Sequence, residues 1–313
     1  FDHVTAEHEA ALKVLILVHH AREISLHYLL PAPGGLRAEF QVGETSTGTD
    51  DSWRCQALDT WAQDVPKRGW ALDYCEDYDA TREPEGWQEK RIAPEQIAAW
   101  ERAMLVPDAD KVWGGYQRRM TPALERRRIA PVAFRAYRAP GPGVAGVGDL
   151  SCCHDEEELA PLVDWEPYDV ATLNARLQAG NAFCLDLGRE RVGFYAFEVE
   201  APEGLVLELS GAELLREGRP WIYRKNTRYS LRYRTRAGRQ RFTSFGWNGF
   251  RYLHLVARGD TKGLVIHRVG SLERKVPLTP ARVFQGEDAG LQAVYDLCRH
   301  TLEVGAQEHL IDC

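Results

Sequence analysis

The sequence has few of the features that mark membrane proteins or nucleic-acid-binding proteins. Its longest apolar run, Val14 to Val18, is far shorter than the roughly 20 residues of a membrane-spanning helix. Positive charge is not in excess, since 39 Lys and Arg stand against 46 Asp and Glu, a formal net charge of −7. Binding to nucleic acid depends on clustered positive charge that displaces counterions. We therefore expect neither a membrane nor a nucleic acid as a partner.

Cysteine spacing also lacks a metal-binding pattern. There is no C-x-x-C pair, which argues against structural zinc, and no Asp/Asn-rich loop has calcium-ligand spacing. The one local cluster, Cys152-Cys153-His154, is not expected to bind a metal because adjacent side chains diverge. We expect no cofactor and no metal, and free, mostly buried thiols that favour a reducing, cytoplasmic location. The seven cysteines are Cys55, Cys75, Cys152, Cys153, Cys184, Cys298 and Cys313.

The beginning of the chain lacks both a signal peptide and a Met, so we expect a chain that was processed, trimmed or cut from a longer protein. Three apolar segments, Leu12–Val18, Ile24–Leu30 and Ala38–Val42, predict antiparallel strands, the last two separated by a Pro/Gly turn. Nothing before Leu12 supplies the neighbouring strands of a complete sheet. We therefore predict a β-sandwich that is incomplete at its start.

Residues 50–120 are irregular but rich in aromatic side chains, and two interpretations stay open. Exposed tryptophans can stack on the C–H face of a sugar ring, whereas partly buried ones can hold the loops of a β-sandwich together. The aromatic residues are Trp53, Trp61, Trp70, Tyr74, Tyr78, Trp87, Trp100 and Trp113.

A second β-rich unit follows a Pro/Gly-rich and acidic stretch. Apolar and polar residues alternate over 205–209, 229–235 and 250–256, and further short strands are predicted at 240–244 and 264–269. This spacing is typical of a sandwich or jelly roll. Arginines occupy alternate positions from Arg228 to Arg236, which suggests polyanion binding or a solvated sheet face. We favour the solvated face.

A long helix is predicted only near the end of the sequence. Asp288 can cap it, and Leu291, Val294, Tyr295, Cys298 and Leu302 recur three and four residues apart. One amphipathic helix cannot bury its own apolar stripe, so we expect further helices to follow.

Three motifs together resemble those of bacterial α-L-rhamnosidases, which are inverting glycoside hydrolases. The first joins Asp51-Ser52-Trp53-Arg54 to the stretch from Asp77 to Trp87, with its Y-D-A and G-W elements. The second is the segment from Phe242 to Tyr252, which resembles the family's F…G-F-R-Y strand. The third is Asp312-Cys313, about 60 residues after that strand, which matches the start of a D-C-P-x-R loop at the mouth of the family's catalytic barrel.

The resemblance implies one substrate-binding residue and no catalytic residue within this chain. Asp312 matches the aspartate that binds hydroxyls of the sugar in the reactive subsite, a role that suits a carboxylate. The family's general acid is a glutamate shortly after this aspartate, and its general base lies far downstream. Inversion requires both carboxyl groups. Glu287, Glu303 and Glu308 do not match either motif.

We therefore predict a mainly β protein with two β-sandwich or jelly-roll domains followed by the first helix of an (α/α)6-barrel. The predicted divisions are an incomplete galactose-binding-like sandwich at 1–125, a connector at 126–166, a second sandwich at 167–273, and a linker with the start of the barrel at 274–313. The expected function is that of the noncatalytic front part of an α-L-rhamnosidase that releases terminal L-rhamnose with inversion. The expected partner is a rhamnosylated glycan or glycoside.

Two alternatives remain: a carbohydrate-binding β-sandwich module without hydrolytic activity, and a structural interaction domain. The second of these requires that the aromatic side chains be wholly buried. The sequence leaves the oligomeric state open.

Overall fold

The computed structural model describes most of the chain between Val14 and Ile311. The described residues are 14–19, 34–70, 72–89, 91–108, 111, 114, 121–139, 160–177, 179–278, 283–307 and 310–311. Over these residues no helix is long and apolar enough to cross a membrane.

Strands dominate the described residues, which confirms the mainly β prediction. In chain order they are β1 (Glu39–Val42), β2 (Thr45–Gly48), β3 (Arg54–Cys55), β4 (Glu76–Asp79), β5 (Glu101–Arg102), β6 (Glu125–Ile129), β7 (Ala133–Arg138), β8 (Ala160–Pro161), β9 (Glu166–Pro167), β10 (Ala182–Ala201), β11 (Val206–Ala212), β12 (Leu215–Arg216), β13 (Arg219–Pro220), β14 (Tyr223–Arg224), β15 (Thr227–Arg228), β16 (Ser230–Arg234), β17 (Gly238–Thr243), β18 (Asn248–Arg258) and β19 (Val265–Lys275). The α-helices are α1 (Pro94–Ala98), α2 (Val170–Arg176) and α3 (Ala289–Gly305), with a 3-10 turn at Ala80–Arg82.

Strand β10 is 20 residues long and takes part in two layers of a sandwich. Its first part, around Ala182–Asp186, lies between β18 and β7. Its last part, from Ala196 onward, lies between β17 and β19. The register shifts between Asp186 and Arg191, where the strand passes from one layer to the other.

The first layer has the strand order β4-β16-β11-β18-β10-β7, with β8 and β9 beside β7. The second layer has the order β17-β10-β19-β6. Strands β6 to β9 lie largely within the range 126–166 that the sequence analysis described as a connector, so this range contributes strands to both layers.

The main core lies between the two layers. Alternation along β10 directs Phe183 and Leu185 into this core, while Ala182 and Cys184 belong to a smaller cluster on the outer face of the first layer. Further core side chains come from both layers: Leu209, Leu231, Tyr233, Phe250, Leu253, Tyr195, Phe197, Phe242 and Val269. The predicted strands at 205–209, 229–235, 240–244, 250–256 and 264–269 are thus confirmed. Strands β11 and β16 are buried on both faces, however, and not half-buried as the alternation predicted.

The described residues up to Arg102 form only short strands, of two to four residues. Strand β1 pairs with β2, and β3 pairs with β5, each as an isolated two-stranded sheet. The predicted strand at Ala38–Val42 corresponds to β1. Residues 14–19 form no strand, because a strand requires a hydrogen-bonded neighbour and the structure shows none for them. The predicted strand Ile24–Leu30 lies outside the described residues.

Helix α3 begins where the sequence pattern predicts. The Asp288 carboxylate accepts a hydrogen bond from the Leu291 backbone N–H at 2.9 Å, which caps the helix. After Gly305 the chain turns, and the Ile311 N–H donates to the Gly305 carbonyl.

Candidate functional site

The one residue that the sequence analysis assigned to substrate binding, Asp312, lies outside the described residues. The structure does define the helix that precedes it. None of the side chains of α3 is fully buried, and Leu291, Val294 and Leu302 are each about 60% exposed. The apolar stripe of α3 therefore lies open over the part of the chain that the structure describes.

Helix α3 contacts the sandwich through few interactions. The His300 Nε2 atom lies 3.0 Å from the carbonyl oxygen of Glu190, at the bend of β10. Burial, followed by the positive charge of Arg189, lowers the pKa of His300. The Phe284 ring packs against Tyr295 at 5.4 Å between ring centroids. The helix is thus positioned at the end of the sandwich where β10 changes layers.

The segment Phe242–Tyr252, which carried one of the sequence motifs, contains a turn that two side chains fix in place. The Glu76 carboxylate accepts hydrogen bonds from the Phe245 and Gly246 backbone N–H groups, each at 2.9 Å. The Arg68 guanidinium donates to the Trp247 carbonyl at 3.2 Å and also contacts the Asn248 side chain. These contacts attach the 60–79 segment to the tip of β17 and β18.

A wide groove of about 2240 Å³ lies between the 50–106 segment and this turn. Five tryptophans line it, and each of them is partly exposed: Trp53, Trp61, Trp87, Trp100 and Trp247. The aromatic side chains are therefore not wholly buried, which removes the condition set for a purely structural interaction domain.

The groove tryptophans differ in how their rings are held. Trp53 stacks on Phe40 at 5.8 Å and donates its indole N–H to the Gly48 carbonyl. Trp61 packs edge-on against Tyr78 and donates to Glu76. These two rings hold loops together, as the structural interpretation predicts.

Trp100 and Trp70 do not fit the interpretation that the tryptophans hold loops together, and each differs from it in its own way. The indole Nε1 of Trp100 is buried at the groove without a hydrogen-bond partner in the described structure. Trp70 is 87% exposed and is not among the residues that line the groove. Trp113 lies outside the described residues.

Tyr78, within the Asp77–Trp87 motif, is a core residue and not a surface one. It is 2% exposed, stacks on Tyr233, and donates its hydroxyl to Glu83 at 2.7 Å. Burial raises the pKa of Tyr78, and the carboxylate of Glu83 adds to the effect. Burial likewise raises the pKa of Glu83. This part of the motif stabilises the first layer.

The arginine-rich strand β16 is not the solvated face that the sequence analysis favoured. Arg232 is 1% exposed, and its guanidinium lies 3.4 Å from Glu208 and 3.6 Å from Asp77. Glu208 also accepts a hydrogen bond from Arg258 at 2.9 Å. The prediction was wrong because alternation shows only that residues share a face. Here the outer face of the first layer is itself buried.

His254 belongs to the same buried face. Its Nε2 atom is buried and has no hydrogen-bond partner among the residues that the structure describes, and the residue lies opposite Ser210 on β11 and Cys184 on β10. Burial, together with the positive charge of Arg258, lowers the pKa of His254 to about 4. The histidine is therefore neutral at pH 7.

Thiols divide evenly between surface and interior among the described cysteines. Cys75 and Cys184 are buried, while Cys55 and Cys298 are exposed, and all four are free. Burial raises the pKa of the Cys75 thiol to about 11. The prediction of mostly buried thiols is right for two of these four. Within the described ranges no group of three His, Cys, Asp or Glu side chains could hold a metal ion.

Comparison with known proteins supports the resemblance stated from the motifs. The family model of the bacterial α-L-rhamnosidase concanavalin-like domain matches residues 176–270, which run from the last residue of α2 to the middle of β19. A search of curated proteins found no match.

Several solved structures share the fold of the chain. The GH78 family rhamnosidase of Bacillus sp. GL1 superposes with a TM-score of 0.71 at 18% identity, over 92% of this chain and 49% of that one. An α-L-rhamnosidase from Dictyoglomus thermophilum gives 0.51 at 14% identity, over 84% and 24% of the two chains. The Streptomyces avermitilis α-L-rhamnosidase complexed with L-rhamnose gives 0.51 at 15% identity, over 87% and 22%. The chain thus spans half or less of the length of these structures, and the resemblance to α-L-rhamnosidases is confirmed for this portion.

Proposed function

We propose that this chain is the noncatalytic front part of a glycoside hydrolase of α-L-rhamnosidase type, which releases terminal L-rhamnose from a glycan or glycoside with inversion. The observation that carries the proposal is the match of residues 176–270 to the concanavalin-like domain of bacterial α-L-rhamnosidases. The agreement in fold over 92% of the chain with the rhamnosidase of Bacillus sp. GL1 supports it.

The open stripe of α3 adds physical support. Leu291, Val294, Leu297 and Leu302 expose apolar surface that a helical domain would cover, since burial of each such side chain is worth about 1.5–3 kcal/mol. We propose that α3 is the first helix of that catalytic domain. We also propose that the chain is divided into an incomplete sandwich at 1–125, a connecting range with strands of its own at 126–166, a second sandwich at 167–273, and a linker with the start of the helical barrel at 274–313. Under this proposal Asp312 binds the sugar in the reactive subsite.

The test compares two proteins: the 313-residue chain and a longer version that continues past Cys313. Each is assayed with an aryl α-L-rhamnoside, and the anomeric form of the first product is followed by NMR. We expect no turnover by the 313-residue chain and turnover with inverted product by the longer protein. In the longer protein Asp312→Asn should lower kcat/KM by about 10²–10³. Turnover by the 313-residue chain that survives Asp312→Asn contradicts the proposal.

A second candidate function is a carbohydrate-binding module without hydrolytic activity. The observation that favours it is the groove lined by five partly exposed tryptophans, since the C–H face of a sugar stacks on an aromatic ring. Titration with L-rhamnose and with galactose, followed by tryptophan fluorescence, tests it. Saturable quenching should be lost in Trp87→Ala and Trp100→Ala, which remove a groove ring, but kept in Trp70→Ala, because Trp70 lies away from the groove. A flat response in the unmodified chain rules this function out.

A further inference from the structure

The outer face of the second layer carries arginines that are exposed. Strand register places Arg241, Glu198 and Arg268 in one row across β17, β10 and β19. Another row, four residues along β10, joins Phe194, Leu272 and Arg128 across β10, β19 and β6. Directly opposed residues share a face of the sheet. Arg241 and Arg268 therefore lie on one side of the surface between the two rows, and Arg128 lies on the other side.

The row between them consists of small side chains. Thr243, Ala196 and Gly270 are opposed across three strands, and Ala130 lies beside Gly270 at the edge. A side chain at Gly270 would meet the Ile129 carbonyl oxygen at 2.2 Å, so packing against β6 requires glycine there. The result is a flat floor between two higher rims. We call these three rows the arginine trough.

The charge of the arginine trough is opposite to that of the chain. The chain carries −7 overall, whereas Arg128, Arg241 and Arg268 are all exposed here. Glu198 is the one carboxylate in the three rows. It is 8% exposed and accepts a hydrogen bond from Arg239 at 2.8 Å.

The pKa of Glu198 reflects the positive surroundings. Burial would raise it, but the hydrogen bond from Arg239 and the charges of Arg241 and Arg268 outweigh burial and keep the pKa below its ordinary value. Glu198 therefore stays ionised and is neutralised by Arg239, which leaves the rim arginines as excess positive charge.

The far rim adds an aromatic ring and a further guanidinium. The Arg126 guanidinium lies over the ring of Phe194 at 5.4 Å. Phe194 and Thr243 also line the tryptophan groove, so the arginine trough is continuous with that groove on the side where these two residues lie. A ligand can therefore extend from the trough into the groove.

We propose that the arginine trough binds an acidic glycan, with sugar rings on the small-residue floor and uronate carboxylates on the rim arginines. The guanidinium fork matches the two oxygens of a carboxylate, which favours this ligand over a neutral sugar. The identification of the ligand as a glycan rests on the proposed function, whereas the charge and shape of the trough do not.

Calorimetric titration of the 313-residue chain with tetragalacturonic acid at pH 7 tests the proposal. We expect saturable binding that is at least about tenfold weaker for the carboxyl-reduced tetramer. Equal affinity for the two tetramers overturns the proposal. So does binding of a DNA oligonucleotide as tightly as tetragalacturonic acid, because that result shows a general attraction for anions.

Matched variants locate the site on the sheet. Arg128→Gln and Arg241→Gln should each weaken binding about tenfold. Arg127→Gln is the control, since Arg127 is also exposed but lies on the opposite side of β6. Equal losses in Arg127→Gln and Arg128→Gln overturn the proposal.

A substitution in the row of small residues distinguishes direct contact of the glycan with the sheet from long-range electrostatic attraction. Ala196→Leu fills the floor without changing charge, and we expect it to abolish measurable binding while thermal unfolding remains cooperative. Unchanged binding by this variant overturns the proposal. The rhamnosidase assay on the longer protein is independent of these titrations, so failure of the trough and failure of the proposed function are distinguishable.

Discussion

The outer faces of the two sandwich layers both carry arginine, but the arginines are buried on the first layer and exposed on the second. On the first layer Arg232 and Arg258 are 1% and 2% exposed and share the carboxylate of Glu208. On the second layer Arg241 and Arg268 are exposed and flank Glu198, which Arg239 already neutralises. The difference shows that burial of a sheet face, and not its residue types, decides whether its charges stabilise the fold or stay available for a ligand.

The physical reason is the solvent around each charge. A buried guanidinium that loses its partner cannot be hydrated, so the fold depends on the complete set of ion pairs. An exposed guanidinium is hydrated and screened, so its partner contributes little to stability. Substitutions on the two faces should therefore differ greatly in their effect on the free energy of unfolding.

The largest expected effect follows from Glu208→Gln. The amide cannot neutralise Arg232 and Arg258, so we expect the free energy of unfolding to fall by about 3–5 kcal/mol. Urea unfolding at pH 7 measures it. The control is Glu200→Gln on the second layer, whose side chain is 58% exposed and should change stability by less than about 0.5 kcal/mol. Similar losses in both variants would remove the distinction between the faces.

An intermediate effect is expected from pH, through His254. Its folded-state pKa of about 4 lies below its ordinary value of 6.5, so the unfolded chain takes up a proton first as pH falls. The full contribution to stability is present above pH 6.5 and is lost as pH decreases towards 4, a change of about 3 kcal/mol.

Urea unfolding of the unmodified chain and of His254→Asn at pH 7, 5.5 and 4.5 measures this contribution. We expect the free energy of unfolding to fall less steeply with decreasing pH in the variant, because the other titrating groups are common to both proteins. His267→Asn, on a second-layer strand and 30% exposed, is the control and should keep the original slope. Parallel curves for the unmodified chain and His254→Asn would contradict the assignment.

The smallest expected effect is on stability at the arginine trough. Arg241→Gln and Arg268→Gln should each change the free energy of unfolding by less than about 0.5 kcal/mol, because their charges are hydrated in the folded state. Thermal unfolding at low salt gives the most sensitive measurement. A loss above about 2 kcal/mol would mean that these arginines belong to the fold, as Arg232 does.

Local patterns predicted most of the sandwich strands between Val206 and Lys275. The period-two alternation around Leu231 and Tyr233 fixed β16, and Asp288 marked the first turn of α3. These predictions succeed because alternation and capping involve residues close together in the chain. The predicted strand Leu12–Val18 was wrong over its described residues 14–18, because pairing requires a distant neighbour that an apolar run alone does not reveal.

Much less of the candidate site could be predicted from the sequence. The motifs around Trp53 and Gly246 were noticed, but the Glu76 and Arg68 contacts that bring the 60–79 segment to the Phe245–Asn248 turn join residues about 170–180 positions apart. The arginine trough was missed entirely. Alternating arginines at 126 and 128 and at 239 and 241 were the available signal, and only strand order aligns them.

By itself the sequence determined which residues share a face of each strand, where the long helix begins, and the resemblance of the motifs to α-L-rhamnosidases. The tertiary structure alone decided which of those faces is buried. Alternation assigns side chains to two sides of a strand, but the layer that packs against each side is set by contacts between distant segments. That is why Arg232 became part of a buried ionic network while Arg241 remained on the surface.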